Sequence, residues 1–107
     1  MSKLVSTNPS RNYEIIGEVV SSTNKDIENA VKAARTALPM WSNLSIPQRC
    51  THIASLIEIS KKRSKEIAHQ MAFETGRPIS SCGLNVQGGI DYLTAYIEMA
   101  DEALSPK

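Results

Sequence analysis

Two capping boxes constrain this chain more than any other sequence feature. Thr23 is followed three residues later by Asp26, and Ser45 is followed at the same distance by Gln48. In this arrangement, the two side chains accept hydrogen bonds from backbone N–H groups that the start of a helix leaves unpaired. The sequence therefore predicts two helices, which begin directly after Thr23 and Ser45.

The first of these helices is predicted over residues 24–38. Its apolar residues recur at spacings of three and four and would line one face. These residues are Ile27, Ala30, Val31, Ala34, Ala37 and Leu38. Pro39 has no backbone N–H and is expected to end the helix. Trp41, just beyond it, is interpreted as an apolar plug between helices.

Residues 46–74 are predicted to form two helices, or one kinked helix, with a break near 61–64. The basic run Lys61–Arg63 suits the negative end of a helix, and Ser64 can cap the next one. We interpret the same run as a solvated helix end rather than a partner site. Gly76 and Pro78 are expected to end this region.

The last helix is predicted over residues 79–104 from apolar residues at spacings of three and four. Gly83, Gly88 and Gly89 each disfavour a helix interior by about 1 kcal/mol relative to alanine. We therefore expect the first half of this helix to be frayed, bent or closely packed against another backbone.

An N-terminal β-hairpin is predicted over about residues 4–20. Pro9 and Asn12 favour a turn, because Asn enters the left-handed region more readily than most residues. Gly17 inside the second strand suggests a bulge or the close approach of another backbone. The predicted fold is mostly α with a small N-terminal β-hairpin, in a single unit over residues 1–107.

Composition excludes several classes of function. The 107 residues include 12 Lys and Arg against 11 Asp and Glu, a net charge of +1. Nucleic-acid or membrane-surface binding usually requires a larger basic excess, so neither partner is expected. No apolar run suits a membrane span or a secretory leader, and a cytoplasmic location is expected.

The residues that could carry chemistry do not form a complete site. Cys50 lies on an apolar helix stripe, while Cys82 is expected to be more exposed but has no activating His or Lys neighbour. His52 and His69 lack a second ligand three or four residues away. Gly83–Gly89 lacks the pattern of a phosphate-binding loop. The sequence therefore predicts no catalytic, cofactor-binding or metal site.

The order of short motifs resembles the start of NAD(P)-dependent aldehyde dehydrogenases. The matching segments are Asn8–Pro9, Ile16–Val19, Pro39–Ser42, Pro47–Arg49, Glu74–Ile79 and Tyr92–Ala100. They follow one another at the family's separations over nearly the whole chain. The chain departs from the pattern at Arg11–Asn12, where Thr-Gly is usual, and at Ser80–Gly89, where the family has an acidic, Ala-rich helix.

The resemblance implies that the chain acts as one segment of an aldehyde dehydrogenase. In the family, a cysteine thiolate attacks the aldehyde, hydride passes to NAD or NADP, and a glutamate activates water. The triplet Gln48–Cys50 only partly matches the family's Gly-Gln-x-Cys motif, because Ile46 and Pro47 precede it, and we reject Cys50 as the nucleophile. The resemblance implies the helical N-terminal part of the cofactor domain in the aldehyde dehydrogenase α/β fold.

Such a segment is expected to be a structural part of the domain and inactive alone. Its expected partner is the remainder of the aldehyde dehydrogenase chain. An alternative hypothesis is a free-standing helical interaction module, or a remnant, that associates through its apolar helix faces with another copy of itself or with another protein.

Overall fold

The chain folds into a two-stranded antiparallel hairpin followed by four helices in a computed structural model that describes residues 2–106. The strands are β1 (Lys3–Asn8) and β2 (Glu14–Val20), joined through a 3-10 turn (Pro9–Arg11), and the helices are α1 (Asn24–Ser42), α2 (Ile46–Lys62), α3 (Ser64–Thr75) and α4 (Ile79–Leu104). This confirms the mostly helical fold with a small N-terminal hairpin.

The hairpin turn is closed by side-chain hydrogen bonds and left-handed backbone. Oδ1 of Asn8 accepts hydrogen bonds from the Ser10 backbone N–H at 3.0 Å and from the Ser10 hydroxyl at 2.7 Å. Asn12 has φ 51°, which confirms its predicted conformation. Tyr13, with φ 58°, is also left-handed, which the sequence analysis did not predict.

A β-bulge interrupts the ladder beside Gly17, as predicted. Ser6 pairs with Gly17, whereas Thr7 pairs with Ile15, so Ile16 is an extra residue on β2. An extra residue bends the bulged strand and increases its twist.

Both predicted capping boxes are confirmed. The Thr23 N–H donates to the Asp26 carboxylate at 2.8 Å, and the Asp26 N–H donates to the Thr23 hydroxyl at 3.2 Å. The Ser45 N–H donates to Oε1 of Gln48 at 2.8 Å, and the Gln48 N–H donates back to Ser45 at 3.3 Å. The backbone and hydroxyl donors of Thr23 lower the pKa of Asp26 from its ordinary value of 3.8.

The expectation that Pro39 ends the first helix is wrong. α1 continues to Ser42, and the Asn43 N–H donates to the Pro39 carbonyl at 3.1 Å. Proline lacks the N–H that would donate to the Arg35 carbonyl four residues earlier, and its ring crowds that same carbonyl. Every residue of α1 is exposed, so no packed neighbour within the described residues opposes a local adjustment of the helix at Pro39.

The break between α2 and α3 is confirmed, but Ser64 does not cap the new helix. Arg63 occupies the junction with φ −99° and makes no side-chain capping bond, and Ser64 is the first residue of α3. Nε of Arg63 instead donates to the Glu66 carboxylate at 2.8 Å. This hydrogen bond and the nearby positive charge lower the pKa of Glu66.

The hydrophobic core lies among α2, α3 and α4. Its buried members are Ile57, Ala68, Cys82, Val86 and Ile90, and Ile53, Met71, Ala72, Leu93 and Ile97 pack around them. Three of the five come from the first half of α4. That half therefore anchors the fold, and the expectation that it is frayed is wrong.

Two further expectations about the first half of α4 are corrected. A Cβ atom added at Gly83, Gly88 or Gly89 would meet no atom within 4 Å, so these glycines do not pack against another backbone. Cys82 is not exposed: its accessible fraction is 0%. Cys82 lies three residues after Ile79 and four residues before Val86. It therefore continues the apolar stripe of α4 across the interval between those two residues.

The predicted apolar face of α1 exists in the helix but is not covered within residues 2–106. α1 contributes no buried residue and is absent from the principal packed pairs of elements. The radius of gyration is 18.3 Å, against roughly 13 Å for a compact domain of this length. α1 is therefore the part of the described chain with least tertiary support.

Candidate functional site

The residues that the sequence analysis considered as possible catalytic groups do not come together as a catalytic site in the structure. Cys82 is buried in the core, and Cys50 is half-buried on α2. The ring of His52 lies 5.9 Å from that of Trp41, centroid to centroid. Gln48 is engaged in its capping box. Among residues 2–106, no three His, Cys, Asp or Glu side chains are grouped as metal ligands.

The feature best suited to binding is an apolar groove between α2 and α4, near the end of α1. Its volume is about 290 Å³. We call it the α2–α4 groove, and it is lined by Trp41, Ile46, Arg49, Cys50, Ile53, Leu93, Tyr96, Ile97, Ala100 and Leu104. Nearly all of these side chains are apolar or aromatic, so the groove suits an apolar occupant better than a charged small molecule.

Arg49 is the one charged residue in the lining of the α2–α4 groove. Its Nε atom is buried from solvent, and within the described residues it has no hydrogen-bond partner. A buried guanidinium donor without an acceptor is costly, because the lost hydration is not replaced. Arg49 Nε is therefore an unsatisfied donor inside the described fold.

Aromatic side chains line the same groove. Trp41, interpreted from the sequence as a plug between helices, lies at the end of α1 beside residues of α2 and α4 and is 39% exposed. The ring of Tyr96, which is exposed, stacks on that of Tyr92 with a centroid separation of 6.4 Å. Trp, Tyr and Arg are the side chains most enriched at the energetic centres of protein interfaces.

A second exposed apolar surface runs along α1. Ile27, Val31 and Leu38 are 56%, 50% and 57% exposed. Their spacing places them on one side of the helix, and Ala34 lies between them. We call this surface the α1 face.

Sequence reasoning assigned no special role to Arg49. One signal was available: Arg49 is the fourth residue of α2, near the positive end of the helix dipole, where a cation is unfavourable.

No helix in residues 2–106 has both the length and the apolar character of a bilayer-crossing segment.

Comparison with known protein families gives a match over residues 2–107 to the model described as the aldehyde dehydrogenase family. A 1-pyrroline-5-carboxylate dehydrogenase of Staphylococcus saprophyticus is 32% identical over 100 residues, which cover 90% of this chain and 20% of that protein. A malonate-semialdehyde dehydrogenase 1 of Shouchella clausii is 32% identical over 78 residues, 73% of this chain and 16% of that protein. The chain spans about a fifth of the length of such curated relatives.

Proposed function

This chain belongs to the aldehyde dehydrogenase family, and we propose that residues 1–107 form the outer, helical part of its cofactor-binding domain. In this proposal the segment supplies no catalytic, cofactor-binding or metal-binding side chain. It acts as a structural part, whose partner is the sequence corresponding to the remaining four fifths of the relatives' length.

The observation that carries the proposal is the apolar surface that the described residues do not cover. The α1 face exposes Ile27, Val31 and Leu38 by half or more. The α2–α4 groove adds aromatic and aliphatic side chains around Arg49. Apolar area of this kind is normally removed from water by a packed partner. A scaffold segment that docks on a larger domain accounts for both surfaces.

For the protein that contains this segment, we propose the oxidation of an aldehyde to a carboxylic acid with NAD or NADP as hydride acceptor. The names of the relatives, 1-pyrroline-5-carboxylate dehydrogenase and malonate-semialdehyde dehydrogenase, support this class of reaction. The cysteine nucleophile, the glutamate base and the nucleotide-binding strands would come from other sequence, since Cys82 is buried in the core and Cys50 is half-buried on an apolar helix stripe.

A chimera tests the proposal. Residues 1–107 replace the matching stretch of the Staphylococcus saprophyticus relative, and formation of reduced cofactor is followed with that enzyme's own substrate. The segment by itself serves as the control, assayed for cofactor reduction and for NAD binding by calorimetry. We expect an active chimera and an inert segment.

Two results would contradict the proposal. The first is turnover, or micromolar NAD affinity, by the segment alone. The second is a folded chimera, shown by cooperative thermal unfolding, that has no activity while the unaltered relative is active under the same conditions.

The exposed α1 face also supports a second candidate, a helical module that pairs with another copy of itself. Sedimentation equilibrium separates the two candidates. A discrete dimer of the isolated segment favours pairing, whereas a monomer that becomes active only inside the chimera favours the scaffold role.

A further inference from the structure

Resting on the second candidate function, the pairing of two copies, we propose that the α1 face binds the α1 face of a second copy of this chain. The two helices run antiparallel about a twofold axis. In this pair, Glu28 of each copy forms an ion pair with the partner's Arg35.

The first argument is the spacing of the α1 face. Ile27, Val31, Ala34 and Leu38 are separated by four, three and four residues. This is the heptad spacing that keeps one seam of a helix against another helix, with Ile27 and Ala34 at d positions and the other two at a positions. All four residues are exposed, and α1 has no buried residue. The seam extends over about three helical turns and is uncovered within residues 2–106.

The second argument is the charge beside the seam. Glu28 and Arg35 each follow a d residue directly, so both occupy e positions, and both line one shallow groove on the surface of α1. Neither belongs to an ion pair within residues 2–106. In an antiparallel pair, e positions face e positions of the other helix. The register that places Ile27 on the partner's Leu38 therefore brings Glu28 beside the partner's Arg35, and the twofold axis repeats this ion pair.

The third argument is that a parallel pair would lack this complementarity. In a parallel pair, e positions face g positions, and the g positions beside this seam are Ala30 and Ala37. Glu28 and Arg35 would then have no charged counterpart. In the antiparallel pair, the two alanines face each other across the opposite flank, where their small side chains allow the helices to approach closely. Both flanks of α1 therefore match an antiparallel second copy.

The size of the seam sets the strength of the dimer. A pair of helices in contact over about three turns buries less area than a permanent dimer requires, so the dissociation constant should be on the order of 100 µM. The chain is then mostly monomeric in dilute solution and paired at high concentration. Sedimentation equilibrium over a range of roughly 20 µM to 1 mM brackets this constant and measures it.

Charge exchange at the flank tests the pairing. Glu28→Arg and Arg35→Glu each replace two ion pairs by two like-charge contacts and should weaken dimerisation about tenfold at low salt. The double substitution, Glu28→Arg with Arg35→Glu, restores both pairs with their charges exchanged and should return the constant to within about twofold of the original. Lys32→Glu, the matched control, makes the same change of charge as Arg35→Glu at an outward position of α1 and should alter the constant by less than about twofold.

Weakening by both single substitutions together with rescue by the double one would support the antiparallel pair. A dimer that is insensitive to the single substitutions, or weakened without rescue, would overturn this inference while leaving the pairing of two copies intact. A chain that stays monomeric over the whole range would overturn both, and if the chimera is active it would assign the α1 face to the rest of the dehydrogenase. Cofactor reduction by the chimera reports the scaffold role separately.

Discussion

Gly76 and Ser10 approach so closely that a Cβ atom on Gly76 would lie 2.9 Å from the Ser10 backbone nitrogen. Gly76 ends α3 with φ 69°, and Ser10 belongs to the 3-10 turn of the hairpin. The Arg11 guanidinium carbon lies 5.3 Å from the centroid of the Phe73 ring, in cation–π geometry. These contacts fasten the hairpin turn to the C-terminal end of α3.

Replacement of Gly76 by alanine should therefore destabilise the chain. The left-handed backbone angle strains any residue with a Cβ atom, and the new methyl group meets backbone rather than a movable side chain. We expect a loss of about 2–4 kcal/mol in the free energy of unfolding, measured by urea denaturation. Gly89→Ala is the matched control and should stabilise α4 by ~0.5–1 kcal/mol, because nothing lies within 4 Å of its added Cβ. Equal effects at the two glycines would contradict the close approach.

Truncation of Ile90 should lower the free energy of unfolding far more than the same truncation at Ile27, because only Ile90 belongs to the buried core. Ile90 is buried among α2, α3 and α4, and its truncation should cost about 2–5 kcal/mol in urea denaturation. Ile27→Ala removes the same atoms from the exposed α1 face and should change stability by less than about 0.5 kcal/mol in the isolated segment. A large cost at Ile27 would show that α1 is packed in solution.

The capping box at the start of α1 should make helix stability depend on acidity. Hydrogen bonds from Thr23 hold the pKa of Asp26 below its ordinary 3.8 in the folded chain. The stabilisation is therefore present above 3.8 and is lost as the pH falls through the lower, folded-state pKa. Circular dichroism during acid titration should show α1 losing helicity over this range. In Asp26→Asn, which does not titrate, the part of the transition due to this residue should vanish, and an unchanged profile would argue against the box.

Val31→Lys should distinguish the isolated segment from the complete domain. Val31 is half exposed on the α1 face, so the isolated segment should tolerate a lysine with a change of less than about 0.5 kcal/mol. In the chimera the same charge would have to be buried against the docked domain, and we expect loss of soluble, active enzyme. Lys32→Ala, a neighbouring exposed substitution, is the control. Full activity of the Val31→Lys chimera would exclude the α1 face from the domain interface.

The sequence determined the features whose interactions span only a few residues. The Thr23 and Ser45 boxes, the left-handed Asn12 and the Gly76 helix end each depend on partners within four positions or on local backbone sterics. The resemblance to aldehyde dehydrogenases was likewise carried by the order of short motifs, and it is confirmed by the family match over residues 2–107.

Tertiary structure alone decided which apolar residues are buried. Helical spacing marks a face for burial but does not say whether a partner covers it, so Ile27 and Ile90 look alike in sequence and differ in exposure. Cys82 became a core residue because α2 and α3 pack against that side of α4. α1 continues through Pro39 to Ser42 with no buried residue, and Arg49 Nε is left without an acceptor within the described chain.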